Sequence, residues 1–423
     1  AERAARVGVE RYVLDDGWFG ARRDDHAGLG DWVVSPDAWP EGLHPLINRV
    51  RELGMQFGLW FEPEMVNLDS DVARAHPEWV MAARDELPVP ARDQQVLDLT
   101  VPGAYEHVKG QILAVLDEYD IGYLKWDHNR DLVESGSQPD GGRPAVHGQT
   151  LAVYRLFDEI RAAHPDLEIE SCSSGGARVD LGVLEHTDRV WVSDVIDPLE
   201  RQHMLRWTTQ LIPPEYMGSH IASGHSHSTG RMHHLSFRAG TAVFGHLGIE
   251  WDLTTVDDAT LDELAEWTAF YREQRHLLLG GDLVRVDTGD ENVFVHGVVA
   301  GDRCEAIFAV ASVGNPVHVP GPRVRFPGLD AARTYRVRPV VVGNPPSGLV
   351  APLWWGEADH ELAPADRMHA TIPSHPRAVS RGARYPGTVL TGDALAHLGT
   401  TPPFMHPDQV VLFHVTALDG VES

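Results

Sequence analysis

The stretch AYEHVKGQILAVLDEYDIGYLKWD, residues 104–127, writes a helix, a stop and a strand in one line. Tyr105, Val108, Ile112, Val115 and Leu116 recur at the three- and four-residue spacing of one helix face. The rhythm ends at Gly122, and a short apolar run then closes in polar residues. On a strand successive side chains alternate, so Lys125 and Asp127 share one face and Trp126 takes the other. A cation next to a carboxylate favours the ionised acid.

The same phrase recurs on both sides. HPLINRVRELG carries Pro45 near a helix start, apolar Leu46, Ile47, Val50 and Leu53, and Gly54 as a stop, and MQFGLWFEPE follows. TLAVYRLFDEIRAAHPD repeats the pattern with Val153, Leu156, Phe157 and Ile160, and leads into LEIESCSSGG. RVWVSDVID and EYMGSHI are further short strands with polar ends. Helices alternating with short buried strands predict a parallel sheet with crossover helices, and the number of units points to a (β/α)8 TIM-type barrel. In such a barrel the active site lies at the C-terminal strand ends, where Asp15, Asp16, Glu62, Glu64, Lys125, Asp127, Cys172 and Asp194 fall. An open doubly wound sheet is the runner-up, but no G-x-G-x-x-G opens a helix here. After LDELAEWTAFYREQR the pattern changes to alternating residues broken by Gly-Asp turns, as in LVRVDTGDENVFVHGVVAGDRCEAIFAV. Two domains are therefore expected: the barrel over 1–278 and a C-terminal antiparallel β-sandwich over 279–423. The Pro-, Gly- and His-rich stretch 351–408 has no readable period.

Composition narrows the chemistry. The 423 residues carry 35 Lys plus Arg against 62 Asp plus Glu, a net charge of −27. Such a chain repels polyanions, so nucleic acid and anionic membrane are excluded as partners, while neutral sugars are not. No run of about 18 apolar residues is present to span a membrane. The two cysteines, Cys172 and Cys304, are far apart and suit a reducing, cytoplasmic setting. The opening AERAARVGVERYVLDDG reads as mid-domain sequence, a short helix running into a strand, which predicts that the chain is a fragment.

Several groups compete for chemical roles. Asp127 beside Lys125 reads equally as an activated nucleophile or as a structural ion pair. Asp194 ends a strand two units later, and two carboxylates on one barrel mouth can flank a glycosidic bond, one ionised and one protonated. Its neighbour Asp197, just before Pro198, reads as a helix cap. Asp15 and Asp16 in LDDGWFG lack the spacing of a calcium loop and suit hydroxyl recognition, or one of them caps the turn. Trp60 fits either a sugar-stacking face or the core. The run SHIASGHSHSTGRMHHL lacks zinc-site spacing and reflects a chain with 24 His. The glycines of ESCSSGGARVD make a tight turn rather than a phosphate loop.

Taken together, YVLDDGWFG, LGDWVVSPDAWPEGL, GLWFEPEMV, QQVLDLT, YLKWDHNR, ESCSSGG, RVWVSDVID and MGSHI through TGR resemble the α-galactosidases of glycoside hydrolase family 36, in order over about residues 1 to 255. The resemblance implies that Asp127 is the nucleophile and Asp194 the acid/base of a retaining α-galactosidase. It implies that Asp15 and Asp16 hold galactose hydroxyls, that Trp60 lines the pocket, and that Arg92 reaches the sugar from a loop. Lys125 and Asn129 become flanking hydrogen-bonders, and Cys172 and Gly175 the turn around the sugar 2-position. The turn departs from the family at Ser174 and Ala177, where some members have Gly. The resemblance further implies raffinose- and melibiose-type substrates, no cofactor and no metal, and a homo-oligomer, commonly a tetramer. By this comparison the family's N-terminal β-sandwich and first barrel strand precede the segment present here. The alternatives are an α-N-acetylgalactosaminidase, a raffinose-synthase-like galactosyltransferase, and a sugar-binding fragment without turnover. Cys172 leaves little room for an acetamido group, which weighs against the first.

Overall fold

The computed structural model describes residues 1–319, 321–360 and 377–418. Contacts divide the chain into two compact units, one of Ala1–Ala5 and Val9–Asp194, the other of Arg6–Gly8 and Val195–Ser423.

The first unit is built from parallel β/α repeats. Its elements are β1 (Arg11–Leu14), α1 (His44–Glu52), β2 (Gln56–Phe61), α2 (Pro102–Glu118), β3 (Tyr123–Trp126), α3 (Val146–Ala163), β4 (Glu168–Ser171) and β5 (Arg189–Trp191). Each strand pairs in parallel with the next, with Leu14 opposite Leu59, Phe61 opposite Trp126, Trp126 opposite Ser171, and Ser171 opposite Val190. From Phe57 to Phe61 every residue of β2 is buried, as a strand covered on both faces requires. The helix faces read from periodicity are the buried ones. In α2 these are Tyr105, Val108, Ile112, Val115 and Leu116, joined by Ala104. In α3 they are Val153, Leu156, Phe157 and Ile160, with Gln149 and Ala152. Each large aliphatic side chain so covered contributes about 1.5–3 kcal/mol. In α1 only Ile47 and Val50 are fully buried, while Leu46 and Leu53 are partly open. Gly54 stops α1 in the left-handed region, φ 80°.

Between β2 and α2 the chain makes an excursion not foreseen from its periodicity. Met65–Asn67 and Gln94–Val96 pair antiparallel, and Ala91 closes on Gln94 with a 2.9 Å backbone hydrogen bond. The two central residues of that turn, Arg92 and Asp93, both have positive φ, 51° and 56°. This is the signature of a type I′ turn, normally made by Asn-Gly or Gly-Gly. Here two residues with full side chains are held in a costly conformation.

The second unit begins with α4 (Pro198–Thr208), β6 (Met217–Ala222), α5 (Leu235–Ala242) and β7 (His246–Glu250), with β6 and β7 parallel, and continues to α6 (Asp258–Gly280). Then come β8 (Asp282–Val286), β9 (Val293–Val299), β10 (Glu305–Ser312), β11 (Thr334–Val340), β12 (Thr388–Thr391) and β13 (Gln409–Ala417), in one antiparallel sheet of order β8-β9-β10-β13-β11-β12. Phe308, Phe326, Tyr335, Trp355 and Phe413 form the centre of its core. Of the stretch 351–408, residues 361–376 lie outside the described residues. Among the described residues no helix is long and apolar enough to cross a membrane.

Candidate active site

The strand ends of the first unit bring the expected residues together. Asp15 directly follows β1, Asp127 follows β3 and Cys172 follows β4, while Asp194 lies three residues past β5. The parallel ladder sets their height, since the Asp127 N–H donates to the Phe61 carbonyl and the Cys172 N–H to the Trp126 carbonyl, both at 2.7 Å.

Asp127 is only 6% exposed and is enclosed by donors. Trp60 Nε1 donates to Oδ2 at 3.1 Å and the His128 N–H to Oδ1 at 2.8 Å. The Asn129 side chain and the Cys172 thiol also bond to it. Burial alone would push this carboxyl up, but the Lys125 charge and the Asn129, Cys172 and Trp60 hydrogen bonds outweigh it, and Asp127 sits below the ordinary carboxylate value. Trp60 is buried, and its indole N–H orients a carboxylate.

The expected contact between Lys125 and Asp127 takes another form. Lys125 Nζ pairs with Asp15 Oδ2 at 2.9 Å and acts on Asp127 through its charge. Trp126 does take the opposite face, where its indole donates to Glu64 at 2.9 Å. Asp16 is gripped by Arg22, Nη2 to Oδ2 at 2.7 Å and Nε to Oδ1 at 3.0 Å. Asp15 also accepts the N–H of the next residue, Asp16, at 2.9 Å.

Cys172 is fully buried, and burial together with the Asp127 charge drives its thiol far above its usual range. It is therefore a hydrogen-bond donor and not a nucleophile. Gly175 sits at φ 81°, and a Cβ there would stand 2.6 Å from the Asp194 nitrogen. Only glycine lets the turn pass so close under Asp194. Its neighbour Ser174 carries φ 45°, so the left-handed conformation is kept even where the sequence departs from Gly. Asp194 itself is exposed and is oriented by Trp191, whose indole donates to Oδ1 at 2.7 Å. Arg92 is exposed on its strained turn, and its charge reaches Glu62.

Asp197, the competitor of Asp194, is the N-cap of α4, accepting the Leu199 N–H at 2.9 Å. The histidine-rich run is dispersed. His220 meets Glu250, His234 caps α5, and His233 lies between Asp197 and Asp408. Among the described residues no group of three His, Cys, Asp or Glu could hold a metal ion.

The sequence and the fold match known proteins. The melibiase family model matches residues 1–281, and the glycosyl hydrolase family 36 C-terminal domain matches residues 294–415. The chain belongs to the melibiases of glycosyl hydrolase family 36. An α-galactosidase of Escherichia coli is 43% identical over 412 residues, covering 97% of this chain and 55% of the relative. The crystal structure of the α-galactosidase from Lactobacillus brevis superposes with a TM-score of 0.84 at 31% identity, over 100% of this chain and 52% of that one. A variant of AgaA from Geobacillus stearothermophilus, solved with raffinose, gives 0.83 at 31% identity, over 98% and 52%. The chain thus spans about half the length of the relatives it matches. Its fold is that of these structures, a (β/α)8-type barrel and a C-terminal antiparallel β-domain.

Two residues of this site were not assigned from sequence. Arg22 is buried and locks Asp16, but nothing in its local spacing marks it. Glu62 stood out only as a polar strand end. It is 1% exposed, accepts the Asn129 N–H at 2.7 Å, and is pushed up to about 8 by burial and the Asp127 charge.

Proposed function

We propose that this chain carries the catalytic machinery of a retaining α-galactosidase acting on raffinose- and melibiose-type oligosaccharides. The observation that carries the reading is the unequal pair of carboxylates. Asp127 is buried, ionised and encased in donors, while Asp194 stands exposed two strands further on, oriented by Trp191. Asp127 attacks the anomeric carbon as Asp194 gives its proton to the departing oxygen. A β-galactosyl ester of Asp127 results. Asp194 then takes a proton from water, which attacks the same carbon, and α-galactose leaves. Lys125, Asp15 and Asp16 hold the sugar hydroxyls, Arg92 approaches from its turn, and Trp60, Asn129 and Cys172 keep Asp127 aimed. Gly175 gives the loop room beneath Asp194. The names of the relatives and the raffinose bound in the AgaA structure support the substrate class. The domain limit at residue 278 belongs to the same reading, supported by the change of pattern at β8 and the extents of the two family matches. So do a cytoplasmic setting, supported by two free thiols, and a homo-oligomeric state.

Hydrolysis of a nitrophenyl α-galactoside, with the α-glucoside and α-N-acetylgalactosaminide as controls, tests the reading. Turnover of the galactoside alone, with α-galactose as the first product seen by NMR, is expected. β-Galactose as first product, or no turnover of the galactoside, overturns it. Transfer to an added sugar acceptor in preference to water would instead favour the galactosyltransferase.

Lys125→Met separates charge from packing. Without the ammonium the Asp127 carboxyl rises, so activity is lost earlier as pH falls. The acidic limb of kcat/KM should move toward neutral by about one pH unit. An unmoved limb with a raised KM would confine Lys125 to holding Asp15.

A further inference from the structure

Glu62 directly follows β2 and shares a buried corner with Asp127. Its partners are amides. The Asn129 N–H donates to Oε1 at 2.7 Å, Gln94 Nε2 approaches Oε2 at 3.2 Å, and the Asn129 side chain bonds to Glu62 as well as to Asp127. The charges facing it are Asp127 from the end of β3, Arg92 from the turn 91–94, and Arg22 from the loop after β1. None of these cations pairs with it: Arg22 is committed to Asp16, and Arg92 stands exposed on its turn. Two carboxylates in one buried corner cannot both ionise cheaply. Asp127 has the cationic neighbour and the ring of donors, so the proton belongs to the other acid.

We propose that Glu62 is a positioning residue that works as a neutral carboxylic acid, holding Asn129 and through it Asp127, and leaving Asp127 the single anion of the corner. Gln94 supplies the acceptor for that proton. Its Oε1 is buried without a partner, and a half-turn of the amide presents this oxygen to the Glu62 hydroxyl. Ionisation of Glu62 removes its O–H, sets a second anion against Asp127, and draws the Asn129 side chain, which bonds to both acids, toward Glu62 and away from Asp127. Its effect on rate rests on the galactosidase reading, but its protonation does not.

The test compares wild type, Glu62→Ala and Glu62→Gln on a dinitrophenyl α-galactoside. This leaving group departs without a proton, which takes Asp194 out of the first step. Glu62→Ala should lose about a hundredfold in kcat/KM, the cost of a misplaced reacting group. Glu62→Gln, neutral at every pH and able to keep the amide contacts, should recover most of that loss. The wild-type rate should fall as pH rises through about 8, the value to which burial and Asp127 push Glu62, and Glu62→Gln should lack this fall. An identical alkaline fall in Glu62→Gln, or a folded Glu62→Gln as impaired as Glu62→Ala, overturns the proposal. Infrared difference spectra supply a readout that needs no turnover. A neutral-acid C=O band in wild type minus Glu62→Gln, disappearing as pH passes about 8, is expected. Its absence at acidic pH also overturns the proposal. If the galactoside is not hydrolysed at all, the functional reading fails and the infrared band alone decides the state of Glu62.

Discussion

Asp127→Gly is expected to lower hydrolysis of an α-galactoside by about 10⁵-fold and, with azide present, to yield β-galactosyl azide. The carboxylate is the covalent partner of the sugar in the proposed mechanism. Cys172, the adjacent thiol, is held protonated by burial and by the charge of Asp127. Removing the carboxylate leaves Trp60, Asn129 and the His128 N–H pointing donors into an empty space beside the Lys125 charge. A small anion is well suited to that hole. Azide there forms its bond to the anomeric carbon on the face that Asp127 used. The glycosidic C–O bond breaks on the other face, and the leaving oxygen takes the Asp194 proton. Product NMR reads the stereochemistry directly. α-Galactosyl azide, or hydrolysis within tenfold of wild type, would assign the nucleophile elsewhere.

Asp194→Gly should behave differently with leaving group. On oligosaccharides, whose departing oxygen needs a proton, a loss of about 10³-fold is expected. On a dinitrophenyl galactoside the first step should survive, and the galactosyl ester should accumulate because water is no longer deprotonated. A burst of dinitrophenol followed by a slow phase is the kinetic sign. Azide needs no base, and should relieve the slow phase by attacking the ester from the opposite face to give α-galactosyl azide. Equal losses on good and poor leaving groups would remove Asp194 from the acid role. Asp197 could not inherit it without unmaking the start of α4, whose first N–H groups it accepts.

Local order was the legible part of this protein. The buried stripes of α2 and α3 follow from spacing alone, because a helix face repeats within a few residues. The same holds for the strand ends that place Asp15, Asp127 and Cys172, and for the cap made by Asp197, whereas Asp194, read as a strand end, lies three residues past β5. What escaped the sequence depends on contacts across long stretches of chain. Lys125 sits two residues from Asp127 yet pairs with Asp15, 110 positions away. Glu62 reads as an ordinary polar strand end until Asn129 and Asp127 are seen against it, 67 and 65 residues on in the chain. The turn that carries Arg92 defies its own local rule, since Arg-Asp is a poor type I′ pair and only surrounding structure holds it there. The longer-range roles of Asp194, Arg92 and Gly175 came from family resemblance rather than from periodicity.

The way the two carboxylates are anchored also bears on how such a site can diversify. Asp127 is tied into the ends of β2, β3 and β4 at once, through Trp60, Asn129 and Cys172, so a change in any of these loops is felt by the attacking group. Asp194 takes its orientation from Trp191, three residues earlier on its own segment. The end of β5 and the loop after it carry Trp191 and Asp194 together, but the turn at Gly175 and Gly176 after β4 packs directly against that loop. A substitution in the turn after β4 is therefore felt by both carboxylates, through Cys172 at Asp127 and through Gly175 at Asp194, and neither can be re-aimed from its own loop alone.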